Sequence, residues 1–327
     1  MNLRRLRLNA NIRDLVRENY ITKNDLIMPV FIKEGLDGKN EIPSMPGIYQ
    51  NGENAFLDEI NECINLGIKA VILFGIPKLK DSCGSDALSE EGLIARSVRK
   101  AKEMFGNKIA IITDLCFCEF TDHGHCGIIN PKLKTVDNEA TLEISAKQAL
   151  IHAKAGADMI APSGMMDDIV ITLRDALDNN GFSHIPIMSY STKFASAFYG
   201  PFRDAAESAP VANEYLPKNR KTYQMDTANA REALLESLID EAQGADILMV
   251  KPALSFMDII KTVKENTLKP LCVYNVSGEY SMVKAASMNG WMDYEALMME
   301  ILTGFKRAGA DMIISYHSKD AAKILNG

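Results

Sequence analysis

The stretch Asp114-Leu-Cys116-Phe-Cys118-Glu-Phe-Thr-Asp-His123-Gly-His125-Cys126 concentrates thiols and imidazoles more densely than any other part of the chain. In an extended segment Cys116 and Cys118 point to the same side. The seven residues before Cys126 can fold a third sulfur back onto them. Three thiolates suit a soft or borderline divalent cation, zinc first. A structural zinc normally takes four protein ligands. With three sulfurs, the fourth position is either open to water or substrate, or closed by His123 or His125. Three buried thiols without a metal are the plainer alternative. Cys63, Cys83 and Cys272 are scattered and read as small core residues.

Two lysines stand where apolar runs end. Lys193 follows Met188-Ser-Tyr-Ser-Thr, and Lys251 follows Ile247-Leu-Met-Val. Desolvation and a second nearby cation both lower a lysine pKa, and a neutral amine can attack a carbonyl to form a Schiff base. For a single lysine a snorkelling or salt-bridged group is the simpler reading. Two of them at adjacent strand ends point toward catalysis. Arg203, in FASAFYGPFR, and Arg220, in NRKTYQ, could clamp a carboxylate, with Gln224 adding a hydrogen bond. The segment between them, with Pro201, Pro210 and Pro217, has the length and composition of a lid. Two surface arginines on a loop are the alternative.

The elements that must carry these residues form a repeated unit. A helix ends in Gly or Gly-Ala, an Asp follows, and then comes a short apolar run. The copies are HAKAGADMIAPS (152–163), DEAQGADILMVKP (240–252), KRAGADMIISYH (306–317) and, more loosely, NLGIKAVILFG (65–75). The glycine suits the residue after a helix, where positive φ is needed. Runs without alternation suit strands buried on both faces. Eight are expected: Leu26–Ile32, Lys69–Phe74, Ile109–Asp114, Asp158–Ala161, Ile185–Tyr190, Asp246–Lys251, Leu271–Asn275 and Asp311–Tyr316. Helical spacing is clearest over Ala87 to Phe105, Asn138 to Ala155 and Asn229 to Gln243. Strands alternating with helices predict an α/β fold, a (β/α)8 TIM barrel. An open doubly wound sheet is the alternative, weakened because no G-x-G-x-x-G follows the first strand. Residues 1–25 form an N-terminal arm, and 26–327 a single barrel domain. The arm's Arg4, Arg5, Arg7, Arg13 and Arg17 are either a solvated face or subunit contacts. In such a barrel the chemistry sits where strands end at their C-terminal rim. That rim would gather Asp114 and the cysteines, Ser163, Lys193, Lys251, Ser277 and Tyr316.

Composition narrows the function classes. Over 327 residues, 47% are hydrophobic and 24% charged, with net charge −7. A mildly acidic chain is a poor general polyanion binder, so nucleic acid is not the expected partner. The best apolar run, Val71 to Ile76, is far too short to span a bilayer. The start lacks a secretory apolar core, and six cysteines are too few for a disulfide scaffold. A cytoplasmic, reducing setting without membrane contact is expected.

Taken together, DLCFCEFTDHGHCG, MSYSTKFASAFYGPFRDAA, GADILMVKPAL and YNVSGEY resemble the porphobilinogen synthase (5-aminolevulinate dehydratase) family in its zinc-type form. The resemblance runs from RRLR and NDLIMPVFI through MPG (45–47) to AGADMIISY. It implies a barrel with an N-terminal arm, assembled as a homo-octamer. It implies asymmetric condensation of two 5-aminolevulinate molecules to porphobilinogen with loss of two waters, an early step of tetrapyrrole and heme synthesis. By position, Lys251 would form the Schiff base with the P-side substrate and Lys193 with the A-side substrate. Cys116, Cys118 and Cys126 would hold a catalytic zinc. Arg203, Arg220 and Gln224 would bind the A-side carboxylate, and Ser277 and Tyr316 the P-side one. Asp114 and Ser163 would lie near the P-side amine. Glu236 matches a ligand of an allosteric magnesium.

The chain departs from the family pattern at some positions. Gly164 stands where an outer carboxylate of that magnesium site is common, in Ser163-Gly-Met-Met-Asp167-Asp168-Ile169. The lid is several residues longer than usual. Asn275 replaces a frequent Gln, and Thr222 stands where some members carry a further Cys. Two rivals remain at this point. An aldolase-type lyase needs one lysine and no zinc, and a regulatory protein that has lost catalysis needs neither lysine.

Overall fold

The apolar runs form strands β1 (Leu26–Lys33), β2 (Ala70–Ile76), β3 (Ala110–Leu115), β4 (Met159–Pro162), β5 (Met188–Lys193), β6 (Ile247–Lys251), β7 (Leu271–Asn275) and β8 (Met312–Ser315). These come from a computed structural model describing residues 1–212, 216 and 218–326; Pro217 of the expected lid lies outside the described residues. The strands are all parallel, in spatial order β4-β3-β2-β1-β8-β7-β6-β5. A single parallel bridge between Ile160 and Ile187 joins the two ends, so the eight strands make a nearly closed barrel. Around it lie α1 (Ala55–Leu66), α2 (Leu93–Phe105), α3 (Asn138–Ala155), α4 (Ile169–Asn179), α5 (Arg231–Ala242), α6 (Met257–Asn266), α7 (Ser277–Met288), α8 (Tyr294–Ala308) and α9 (Ser318–Ile324). The expected TIM barrel is the observed fold. Residues 70–76 are buried throughout, as a strand covered on both faces must be.

The recurrent Gly-Ala-Asp now has a physical explanation. Gly156 ends α3 at φ 99°, a conformation that suits glycine. The Asp that follows reaches sideways to the start of the preceding strand. Asp158 accepts from Ile111 N–H (2.8 Å), Asp246 from Ile187 N–H (2.8 Å) and Asp311 from Leu271 N–H (2.7 Å). Lys102 (2.8 Å) and Lys264 (2.6 Å) pair with Asp158 and Asp311. Each aspartate thus satisfies an otherwise orphaned strand amide at the N-terminal rim.

Some expectations need correction. The fifth strand runs from Met188 to Lys193, three residues later than its apolar run suggested. Pro186 has no N–H for the ladder, and regular pairing starts at Met188 opposite Ile247. Lys193 is therefore the strand's last residue instead of following it. The helix expected from Ala87 begins at Leu93, after a separate turn at Ser85–Leu88. A Cβ on the intervening Gly92 would fall 2.0 Å from the Asp86 carbonyl oxygen, and Asp86 caps the Leu93 amide at 3.0 Å. Two helices, α7 and α8, separate β7 from β8. Small hairpins at Lys39–Glu41/Tyr49–Asn51 and Ile129–Asn130/Thr135–Val136 had no signal in the apolar pattern. Cys63 and Cys272 are core residues, but Cys83 is half-buried, with Sγ 3.4 Å from Asp81 Oδ1. In the arm, Leu3, Leu6, Leu8, Leu15 and Val16 are exposed, and Asp25 ties its end to Lys306 at 3.0 Å.

Candidate active site

Register decides which lysines meet. Lys251 of β6 lies opposite Lys193 of β5, each the last residue of its strand. Both are almost fully buried, 5% and 4% exposed. Lys193 Nζ donates to Ser163 O at 2.5 Å, bridging to the end of β4. Lys251 Nζ sits instead among ring faces: 4.1 Å from the centre of Tyr274, 5.0 Å from Tyr190, 5.3 Å from Phe202 and 5.4 Å from Tyr199. A ring face offers an ammonium only about 0.5–2 kcal/mol, and the rings exclude the water a cation needs. Burial, and next the Lys193 charge, lower Lys251 to about 7, with Asp114 opposing.

Asp114 lies near the end of β3 and accepts from Ser163 Oγ at 3.1 Å. Its Oδ1 is buried with no hydrogen-bond partner among the described residues. Burial, then the Glu119 carboxylate, raise it to about 7, while both lysines oppose. A carboxyl and an amine that both change state near neutrality can exchange a proton with little driving force either way.

The turn after β3 brings Cys116, Cys118 and Cys126 together, with all three sulfurs within 4.8 Å of one another and buried. Cys116 and Cys118 sulfurs are 3.4 Å apart. Hydrogen bonds from Cys116 and Cys118, then the Arg220 and Lys193 charges, hold Cys126 well below the usual thiol range against its burial. Neither histidine joins this group. His123 Nδ1 pairs with His125 N (3.1 Å), His123 Nε2 with Ser82 O (3.3 Å), and His125 Nδ1 with Tyr223 OH (2.9 Å). Three buried, preassembled sulfurs are a donor set that fits zinc. Sequence reasoning passed over Glu119. It is buried, its Oε2 is 3.2 Å from Cys118 Sγ, and it groups with Asp114 and Cys116. Its only signal was its place inside the cysteine motif.

Arg203, Arg220 and Gln224 converge on one cavity of about 610 Å³, lined also by Ser196, Phe198 and Phe256. Arg203 lies in a short helix, Gly200–Ala205. Arg220 donates to Gly124 O and Ser208 O, both at 2.8 Å. Arg203 Nε, Arg220 Nε and Gln224 Nε2 are buried donors without partners among the described residues. Burial and the Arg220 charge lower Arg203. Unpartnered donors beside crowded guanidinium charge are groups that an anion would satisfy.

Ser277 opens α7. Its Oγ accepts from Phe202 N (2.9 Å) and donates to Phe198 O (3.2 Å). A hydroxyl has one proton to give, so a carboxylate would have to take it from Phe198. A Cβ on Gly278 would come within 2.5 Å of the same Phe198 oxygen, so the chain can approach this closely only with glycine there. Tyr316 OH pairs with Tyr274 OH at 3.0 Å.

Glu236 lines a second cavity, of about 310 Å³, with Asp167, Glu232 and Asp240, and Gln224 and Tyr190 line it too. Burial, then Asp240, Asp167 and Glu232, raise Glu236 to about 7; burial raises Asp240 to about 6. Gly164 is not part of this cavity's lining, and a Cβ there would be 3.9 Å from Cys126 Cβ. The carboxylates around Glu236 come from other positions. Thr222, in the same cavity, pairs with Thr135 at 2.6 Å.

A family model described as "Delta-aminolevulinic acid dehydratase" matches residues 1–324. The delta-aminolevulinic acid dehydratase of Helicobacter pylori strain J99 is 55% identical over 324 residues, 99% of this chain and 98% of that protein. The Bacillus subtilis strain 168 protein of the same name is 51% identical over 322 residues, 98% and 97%. A crystal structure of delta-aminolevulinic acid dehydratase (porphobilinogen synthase) from Toxoplasma gondii ME49, in complex with the reaction product porphobilinogen, superposes with TM-score 0.95 at 38% identity. It covers 99% of this chain and 91% of that one.

Proposed function

The chain belongs to the delta-aminolevulinic acid dehydratase family, and from that premise we propose how its own residues divide the work of the reaction. The enzyme is a porphobilinogen synthase, a lyase that condenses two 5-aminolevulinate molecules to porphobilinogen in heme biosynthesis. The observation carrying our reading is the in-register pair of buried lysines, one of them lowered by burial and its neighbour to about 7.

In this reading, Lys251 attacks the keto group of the P-side substrate and Lys193 that of the A-side substrate, each losing a carbonyl oxygen as water. Asp114, supported by Ser163, takes and returns protons near the P-side amine. Arg203, Arg220 and Gln224 hold the A-side carboxylate, while Ser277 and Tyr316 hold the P-side one. Two sites of different shape fix two identical molecules in different orientations, which supplies the proximity term. Cys116, Cys118 and Cys126 would hold zinc, whose Lewis acidity activates the A-side substrate when it is bound. A second lysine and the sulfur triad disfavour the aldolase-type reading, and retention of both lysines disfavours a regulatory protein.

Magnesium at Glu236 is the second metal we propose. A divalent cation there would favour the charged form of Glu236, which burial and then the Asp240, Asp167 and Glu232 charges raise to about 7. We assign the arm (1–25) to contacts between copies in a homo-octamer, because its exposed leucines need cover. Among the described residues no helix is long and apolar enough to cross a membrane. Six unpaired cysteines favour a reducing, cytoplasmic setting.

The direct test is pyrrole formation from 5-aminolevulinate by the purified chain with zinc and magnesium present; its absence would sink the enzyme reading. Within an active enzyme, Arg203→Ala removes charge-assisted hydrogen bonds worth about 1.5–3 kcal/mol, so KM rises about 10- to 100-fold while kcat changes much less. Steady-state kinetics that show an unchanged KM would remove Arg203 from the carboxylate site.

A further inference from the structure

One buried carboxylate ties the exits of the two strands on which the P side is built. Glu279, in the second position after Ser277 on α7, has no exposed surface. Its Oε1 accepts from Ala253 N (3.1 Å) and Leu254 N (2.8 Å), two and three residues beyond Lys251. Its Oε2 accepts from Val276 N (3.0 Å) and Asn275 Nδ2 (2.9 Å), at the exit of β7 just before Ser277. Asn275 Oδ1 in turn accepts from Ser315 Oγ (2.8 Å), immediately before Tyr316. Four donors on one carboxylate leave little freedom on either side. The peptide after Lys251, the start of α7 and the end of β8 therefore hang on a single side chain.

We propose that Glu279 is a positioning residue that sets Lys251 against the Ser277 and Tyr316 side of the site. A buried carboxylate meets three backbone amides here, where ordinary packing needs only apolar contact. A purely structural helix cap would need Oε2 alone. Oε1 reaches across to the other loop, which the cap does not require. The inference rests on the function proposed above, specifically on Lys251 as nucleophile.

The test compares the full-length enzyme with Glu279→Gln and Glu279→Asp. Gln keeps the length but presents a donor to one pair of N–H groups. Asp keeps the charge and the cap to Val276 but is one methylene too short to reach Ala253 and Leu254. Each protein is incubated with 5-aminolevulinate and borohydride, and the trapped adduct at Lys251 and at Lys193 is timed by peptide mass spectrometry. Kinetics, zinc content and melting are measured alongside. A displacement near 1 Å costs about 100-fold. We expect adduct formation at Lys251 and kcat to fall about 10- to 100-fold in both variants, with Lys193 labelling, zinc content and KM within about threefold of the parent. General loosening would slow both lysines together, and that result overturns the proposal. So does Glu279→Asp labelling Lys251 at the parent rate, which also decides the matter if the Gln variant folds poorly. A parent enzyme that traps nothing at Lys251 indicts the assignment of the nucleophile instead, so the two failures are separable.

Discussion

Lys251→Met is expected to abolish porphobilinogen formation, with a loss of at least about ten-thousand-fold, because in the proposed division of work the other buried amine, Lys193, is committed to the A-side substrate. An ordinary lysine, pKa about 10.4, is neutral in only a few molecules per ten thousand at pH 7. Lys251, lowered to about 7 by burial and by Lys193, is neutral in about half. The environment alone thus raises the reactive fraction about a thousandfold. The sign fixes the pH behaviour: Lys251 is a cation below about 7 and a free amine above it. Borohydride trapping at Lys251 should therefore rise through pH 7 and level off, whereas an unperturbed lysine would still be rising at pH 9. Methionine matches the stem's length and removes a buried cation that sits among ring faces and is repelled by Lys193, so the variant should melt no lower than the parent. Loss of activity together with a large drop in melting temperature would point to a structural lysine.

The second large effect concerns the sulfur triad. Stripping the metal with a chelator is expected to reduce pyrrole formation by at least about 100- to 1,000-fold, since a Lewis acid supplies several kcal/mol at the transition state. Zinc should restore it. Cys126→Ala should weaken zinc binding, read directly by competition with a chromophoric chelator. Trapping at Lys251 should survive in both cases, because the nucleophile does not depend on the sulfurs. Activity indifferent to chelation would leave the triad a structural or idle site.

How far these features were legible varied with the kind of interaction behind them. Strands β1, β2 and β8 announced themselves because burial on both faces writes an unbroken apolar run. Strand β5 did not, because its polar side chains are satisfied inside the fold: Ser189 by Asp240 (2.5 Å), and Thr192 by Ala233 O (3.1 Å) and Ser237 (2.9 Å). No count of apolar residues can see such partners, and the strand was placed three residues early. The Gly-Ala-Asp repeat was visible, yet its meaning lay in hydrogen bonds to a different strand. The cysteine motif was dense enough to stand out from local spacing. The convergence of Arg203, Arg220 and Gln224 on one cavity was visible only in the tertiary fold. Glu119 and Glu279 sat unremarked inside quoted motifs, since a lone glutamate carries no spacing signal; only burial and partners mark them.

The aspartate bonds at the N-terminal rim carry a consequence for variation. Asp158, Asp246 and Asp311 hold neighbouring strands together at the end of the barrel remote from the lysines and cysteines. Height along the barrel axis then sorts what a substitution does. Changes at the aspartate end tax persistence of the folded ring and spare the chemistry of the molecules that survive. Changes at the lysine end silence turnover in a ring that stays intact. Lineages could therefore trade metal, lid or substrate contacts at one end without renegotiating the fastening at the other.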